Sequence, residues 1–372
     1  MKIVQVCTSI SNFQRGGEQF CLRLSRNLNQ LSHEVLLVTG NNSDVTSLNL
    51  PFNAIQISEC TSKIARKLLF DYYNYRAVKQ FSSVLEQFNP DIVHFHSLYG
   101  LSSYLVYVSA RLAPTVVTLH DMWPMYVDSS AVEPKYGLAN SYWKVPLGFV
   151  HRNINRFLYA RASLVSPSIW LKQYAANIGI GDNTVHIANG IRHQLQATIY
   201  RESIIWVGAI RPNKGLHTVI ATIDEFCKSS GWDFHVLGDG PLRPQLEKMY
   251  PSVTFHGHVD NPEPFYKQSS ILIVSSICSE NLPTVVLEGM AFGLCVIGRN
   301  IAGIAEIICH NKTGLLFSSA SDLHHLLYNL STNTRELRRI GAVAIRAVRS
   351  DYSIDTCVRK YIGHFRTLVN SS

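Results

Sequence analysis

Short apolar runs recur along the chain, and longer stretches of amphipathic spacing separate them. KIVQVCT, HEVLLVT, DIVHFHS, PTVVTLH and SLVSPS form a first series. SIIWVGA, DFHVLG, VTFHG, ILIVSS, LCVIG and GLLF form a second. Runs that are apolar on both faces suit strands covered by helices on both sides, as in parallel sheets. Their alternation with segments of helical length predicts an α/β fold of two doubly wound, Rossmann-like domains. The break falls in the polar stretch HQLQATIYRE after Asn189-Gly190. The first domain then covers 1–195, the second 196–350, and the amphipathic segment over 351–372 reads as a helix that can dock on either domain, the N-terminal one included.

One more helix is read over 62–81. Ile64, Leu68, Tyr72, Tyr75 and Val78 follow helical spacing and are expected to face the core. Lys63, Arg66, Phe70 and Tyr73 lie on the other side, with Lys67 beside them. A cationic stripe with aromatics suits an anionic membrane surface or a lipid-diphosphate acceptor, and an ordinary solvated face accounts for it equally.

Composition narrows the class. At 46% hydrophobic and 16% charged, the chain does not have the make-up of a disordered protein. The net charge of +8 favours anionic partners, but it is spread over all 372 residues and no aromatic-basic motif stands out, so nucleic acid is not expected. None of the eight cysteines forms a C-x-x-C pair, which removes a zinc ribbon. Reduced, buried cysteine points to a cytoplasmic protein. No apolar stretch reaches the ~18 residues of a membrane span.

Candidate chemistry gathers where strands end. Gly16-Gly17 stands between the first strand and the helix EQFCLRLSRNLNQL, where glycine lets backbone amides approach an anion. A plain turn explains the pair as well. The dinucleotide fingerprint G-x-G-x-x-G is absent, which disfavours a nicotinamide dehydrogenase. In VGAIRPNKGL, Arg211 and Lys214 follow a strand, and Lys214-Gly215 reads as the opening of a helix suited to a diphosphate. In SENLPTVVLEGMAFG, Glu280 stands in a loop and Glu288 eight positions later on a helix started by Pro283. Each carboxylate can accept from two vicinal hydroxyls of a sugar or a ribose. His120, before Asp121, ends the strand PTVVTL. His94 and His96, and His256 and His258, are spaced to share a strand face, but no third ligand or D-x-D pair accompanies them, so no metal and no other cofactor is expected.

These segments together resemble the retaining glycosyltransferases of family 4, which have two facing Rossmann-like domains with a cleft between them (the GT-B architecture). RGGEQFCLRLSRNL, TLHDMWPM, SPSIWLKQY, IANGI, VGAIRPNKG, LGDGP, FHGHV, SENLPTVVLEGMAFG, IAGIAEII and NKTGLLF follow the family's order over nearly the whole chain. The resemblance implies a transferase that uses a nucleoside-diphosphate sugar, needs no metal and acts on a glycan or lipid-linked acceptor. Such an enzyme would build surface polysaccharide or another glycoconjugate, in the cytoplasm or peripheral on the membrane. It further implies that Gly16 and Gly17 approach the diphosphate, His120 bonds the donor sugar, and Lys214 neutralises the leaving group. Glu280 would hold sugar hydroxyls with Asn281 and Leu282 beside it, Glu288 the ribose, and the backbone at His258-Val259 the base. The family's arginine, five positions before the lysine, is replaced by Ala209, so that either Arg211 substitutes or the site carries one cation fewer. That departure keeps a catalytically weak sugar-nucleotide binder open, and an epimerase on the same architecture remains a further alternative.

Overall fold

A computed structural model describes residues 1–8, 16–40, 43, 45, 48–59, 73–98, 100–122, 144–192 and 200–371, with side chains of the 144–148 segment left aside. Two compact units emerge. One gathers the described residues of Met1–Ser129 and Ser141–Gly190 with the C-terminal segment from Ile354; the other is built on Ile191–Ser353.

The first unit holds a seven-stranded sheet: β1 (Lys2–Cys7), β2 (Glu34–Gly40), β3 (Asn53–Ile57), β4 (Ile92–Ser97), β5 (Thr115–Thr118), β6 (Ser163–Ser166) and β7 (Val185–His186), in spatial order β3-β2-β1-β4-β5-β6-β7. The second holds six: β8 (Ser203–Val207), β9 (Asp233–Leu237), β10 (Thr254–Gly257), β11 (Ile271–Val274), β12 (Cys295–Arg299) and β13 (Leu315–Phe317), in order β10-β9-β8-β11-β12-β13. Every pairing is parallel. In each sheet the chain winds outward one way, then returns to the centre and winds the other. The direction reverses between β1 and β4, and between β8 and β11. Side chains at the carboxyl ends of those central strands have no crossover helix above them, which is where open α/β sheets bind ligands.

The C-terminal helix Ile354–Asn370 belongs to the first unit because of its spacing. Ile354, Cys357, Val358, Tyr361 and Phe365 recur on one face and are buried with Ile3, Phe20, Ile92 and Val116. Burial of each large apolar side chain stabilises by about 1.5–3 kcal/mol. The Tyr361 hydroxyl, sealed in that core, bonds Thr118 Oγ1 at 2.9 Å. Of the described cysteines, Cys7, Cys21, Cys278, Cys295 and Cys357 are buried, whereas Cys309 is exposed.

The structure differs from the sequence reading at the helix expected over 62–81. Residues 60–72 lie outside the described set. The described helix starts only at Tyr75, because Asn74 is extended and its side chain accepts the Ala77 amide at 3.2 Å as an N-cap. No helix therefore runs through residue 74. Tyr75, expected in the core, is 62% exposed, and the buried face is Ala77, Phe81 and Leu85 instead.

Candidate functional site

In the second unit the segment after β8 is not the helix start that Lys214-Gly215 suggested. Pro212–Lys214 forms a 3-10 turn, Gly215 follows at φ 71°, and the α-helix begins only at Ile220. A Cβ on Gly215 would lie 2.1 Å from the Ser275 carbonyl, so the chain can take this path only with glycine there. That close approach brings the end of β8 against the end of β11. Lys214 C=O accepts from Ser275 Oγ at 3.0 Å, and Ser275 Oγ accepts from Trp206 Nε1 at 3.0 Å. The Ile277 amide donates to the Asn213 carbonyl at 2.9 Å.

This stitching places two of the expected residues in contact. Lys214 Nζ donates to Glu280 Oε1 at 2.9 Å, with the side chains 31% and 16% exposed. Ser276 Oγ donates to the same carboxylate oxygen. Burial on its own would lower the lysine, but Glu280 outweighs it and holds the ammonium above its ordinary value. Cys278 lies beside the pair; burial pushes its thiol up to about 11, so it is no nucleophile at neutral pH. Arg211 is exposed in extended backbone, and Ala209 is exposed at the strand end.

Glu288 stands on the helix Thr284–Ala291, where Oε2 accepts from the Tyr266 hydroxyl at 3.1 Å. Burial, then the adjacent carboxylate, keeps that phenol well above its usual pKa, so it remains a donor. Asn281 is half-buried and Leu282 is 8% exposed in the loop before this helix. His258 and Val259 lie just past β10; His258 is exposed and faces Asp260 at 3.1 Å, while His256 bonds His235 at 3.1 Å. Gly257, at φ 73°, breaks the alternation that would have put the two histidines on one face. Among the described residues no cluster of three or more metal-ligating side chains occurs.

In the first unit the same edge carries Gly16, Gly17 and His120. A Cβ on Gly17 would meet the His120 ring at 3.0 Å, whereas one on Gly16 would meet nothing within 4 Å. A side chain at position 17 would therefore press on the His120 ring, while one at position 16 would not. Behind His120 runs a buried polar string. His120 Nε2 bonds His96 Nδ1 at 3.0 Å, and His96 Nε2 bonds Gln5 Oε1 at 2.7 Å. With the Gln5 oxygen accepting, His96 carries its proton on Nε2 and accepts at Nδ1. In this orientation of the Gln5 amide, whose Nε2 finds no partner among the described residues, His120 donates from Nε2; the opposite orientation reverses the roles along the string. Burial lowers His120 to about 4, and His94 and His96 lie well below their usual value, so all are neutral at pH 7.

Several contributors were not singled out in the sequence. Ser276 and Gln5 sit beside apolar runs and Tyr266 in the polar stretch NPEPFYKQSS, none with a distinctive pattern. Arg299 ends β12 and is 6% exposed. It donates through Nε to the Ser275 carbonyl at 3.1 Å and through a terminal nitrogen to Thr218 Oγ1 at 2.7 Å. Its signal was a charge closing the apolar run CVIGR.

Two family models match the chain: "Glycosyltransferase Family 4" over residues 14–195 and "Glycosyl transferases group 1" over residues 201–333. The chain belongs to the family 4, group 1 glycosyltransferases. The sulfoquinovosyl transferase of Arabidopsis thaliana is 28% identical over 73% of this chain and 55% of its own length. An uncharacterized glycosyltransferase of Haemophilus influenzae is 23% identical over 53% of this chain, and the match again spans little more than half of the relative, 57%. The alpha-monoglucosyldiacylglycerol synthase of Acholeplasma laidlawii is 24% identical over 87% of this chain and 84% of its own. Among solved structures, HepE of Anabaena in complex with UDP superposes with a TM-score of 0.75 at 14% identity, covering 99% of this chain and 100% of that one. The sucrose-phosphate synthase of Thermosynechococcus elongatus superposes at 0.80 with 16% identity, covering both chains fully at 100%. These likenesses fix the fold of this family 4 member as GT-B.

Proposed function

We propose that this family 4 chain is a retaining, metal-independent glycosyltransferase. It moves a sugar from a nucleoside-diphosphate sugar to a glycan or lipid-linked acceptor in surface polysaccharide or glycoconjugate synthesis. The observation that carries the reading is the Lys214–Glu280 pair at the point where the second sheet reverses direction. In the resting site the carboxylate neutralises the lysine. A diphosphate offers the ammonium more negative charge than Glu280 does, so the lysine turns to the phosphates and Glu280 is released to accept from donor-sugar hydroxyls. Ser276 keeps its carboxylate aimed.

Transfer then breaks the bond between the anomeric carbon and the diphosphate oxygen. The acceptor hydroxyl oxygen bonds that carbon on the same face, and its proton passes to the departing phosphate. A nucleoside diphosphate is already a good leaving group, so charge stabilisation and positioning supply the catalysis. Lys214, Glu280 and His120 have the catalytic roles. Glu288, held by Tyr266, takes the ribose, and Gly16, Gly17, Arg211, Asn281, Leu282, His258 and Val259 complete substrate binding. The HepE complex with UDP supports a nucleoside-diphosphate donor, and the diacylglycerol named in the Acholeplasma relative supports a lipid acceptor. A protein working on such an acceptor is cytoplasmic and peripheral on the membrane; no described helix is long and apolar enough to cross one. The stripe of Lys63, Arg66 and Phe70 lies outside the described residues.

The exposed Ala209 favours one second reading, a binder of sugar nucleotides with little turnover. The test is release of nucleoside diphosphate from a panel of sugar nucleotides with a mixed acceptor pool, with and without EDTA. Acceptor-dependent release that survives chelation is expected. Loss in EDTA restored by Mn²⁺ overturns the metal-free assignment, and an epimerised sugar nucleotide formed without acceptor overturns transfer.

A further inference from the structure

The helix Lys144–Leu158 buries Leu158 at 6% exposure but sets other large apolar side chains on solvent. Its buried face carries His151 at 3% and Asn155 at 0% exposure, bonded to each other at 3.0 Å. Its solvent face carries Phe149 at 62%, Val150 at 53% and Phe157 at 64%. With Asn153 and Arg156 these fall at i, i+1, i+4, i+7 and i+8, one stripe of the helix.

The apolar surface continues onto the neighbouring helix Tyr104–Ser109. Tyr107 stacks on Phe157 with ring centroids 5.5 Å apart, Tyr104 packs on Tyr107 at 5.2 Å, and Tyr73 meets Tyr104 edge-on at 5.1 Å. The Arg111 guanidinium lies over the Tyr107 ring at 4.3 Å, and Leu112 beside it is 58% exposed. Single exposed apolar side chains are ordinary; a contiguous row is not. The charge is mainly positive, with Asp121 the acid that acts on the neighbouring Tyr159. Residues 92–120 contain Arg111 and no acid, and residues 149–181 contain Arg152, Arg156, Arg161 and Lys172 and no acid.

We propose that this face docks on an anionic lipid surface. Phe149, Val150 and Phe157 enter the boundary between headgroups and acyl chains, and Arg152, Arg156 and Arg161 meet lipid phosphates. Tyrosine rings with a wet hydroxyl and an apolar body suit the same depth. A second copy of the chain fits poorly, because a two-fold interface would set these arginines against themselves. Nucleic acid would use the arginines but leave Val150 and Leu112 without a purpose. The proposal rests on the lipid-linked acceptor reading for its use, though not for its physics.

The test is co-sedimentation of the full chain with vesicles of equal parts phosphatidylcholine and phosphatidylglycerol, and with phosphatidylcholine alone. Donor binding is followed on the same samples by thermal shift with nucleoside diphosphates. Wild type pellets with the mixed vesicles and far less with phosphatidylcholine. Each arginine near such a surface contributes about 1 kcal/mol, so Arg152→Gln/Arg156→Gln/Arg161→Gln loses about a hundredfold in partitioning. Phe149→Ser/Phe157→Ser loses about tenfold or more, and both variants keep the nucleotide shift. If wild type stays in solution, if the variants pellet like wild type, or if the same residues instead serve DNA binding or self-association, the docking surface is overturned. A chain that ignores vesicles but shifts with nucleotide sinks this surface alone; one that pellets without any nucleotide shift sinks the donor reading alone.

Discussion

Replacing Glu280 by Gln removes the charge that neutralises Lys214 and keeps the side chain's shape. In the resting site the pair sits at 2.9 Å. Two unit charges at that separation interact by about 6 kcal/mol at an effective dielectric of 20 and about 1.4 kcal/mol in water. The lysine is 31% exposed, so solvent screens the pair and a figure near the lower end applies. A bare nucleoside diphosphate entering the wild-type site must give up about 1–1.5 kcal/mol of that attraction to win the ammonium. In Glu280→Gln it does not, and the nucleotide is expected to bind about five- to tenfold more tightly. Turnover moves the other way. Sugar hydroxyls donating to a carboxylate are worth about 1.5–3 kcal/mol each, and that charge also faces the positive anomeric carbon of the transition state, so kcat falls at least ten- to a hundredfold. Titration calorimetry with the bare nucleotide and steady-state kinetics with the sugar nucleotide read the two effects separately. A Gln variant that binds the bare nucleotide more weakly than wild type would show that Glu280 does not compete for Lys214, and the exchange of partners described above would be wrong.

Glu288→Gln should act on binding: the donor KM rises by about ten- to a hundredfold with a smaller change in kcat, since the ribose is unchanged by transfer. Calorimetry should show weaker bare nucleotide, opposite in sign to Glu280→Gln. Lys214→Ala should cost more kcat than Arg211→Ala, because the lysine is held at the sheet's reversal while Arg211 is exposed; equal losses would place the two cations on the same footing. Acid should destabilise the first unit. His120 is lowered to about 4 by burial, so the unfolded chain takes up its proton first, near pH 6.5. The stability is complete above about pH 6.5 and is lost as pH falls towards 4, with a slope of up to about 1.4 kcal/mol per pH unit per neutral histidine. Thermal unfolding of wild type and His120→Gln at a series of pH values checks this, and the variant should show the shallower dependence.

The sheets were legible where both faces of a strand are covered. The two strands that escaped the sequence reading, β3 (NAIQI) and β7, are the outermost strands of the first sheet. Asn53, Ile55 and Gln56 of β3 are exposed, so the strand lacks a continuous apolar run. The helix read over 62–81 failed for a different reason. Apolar spacing carries through Asn74 without interruption, and only the side chain's bond to the Ala77 amide reveals that the residue is a cap.

The site itself was half legible. Lys214 and Glu280 could each be named from local context, because a charge beside an apolar strand end is conspicuous. Their contact could not, since it joins segments 66 residues apart and depends on strand order. Once β8 and β11 are neighbours, Gly215 lets the two loops close on each other through the Ser275 carbonyl, and the ion pair follows. The same logic applies in the first unit, where β1, β4 and the segment just past β5 supply Gln5, His96 and His120 to one string. Periodicity could say that His94 and His96 share a strand face and could say nothing of which partner each faces. That partner bears on the chemistry: the side of the Gln5 amide that faces His96 sets which ring nitrogen of His96, and then of His120, carries the proton. A substitution at Gln5 should therefore disturb His120, although residue 5 is buried well behind the ring that Gly17 packs against.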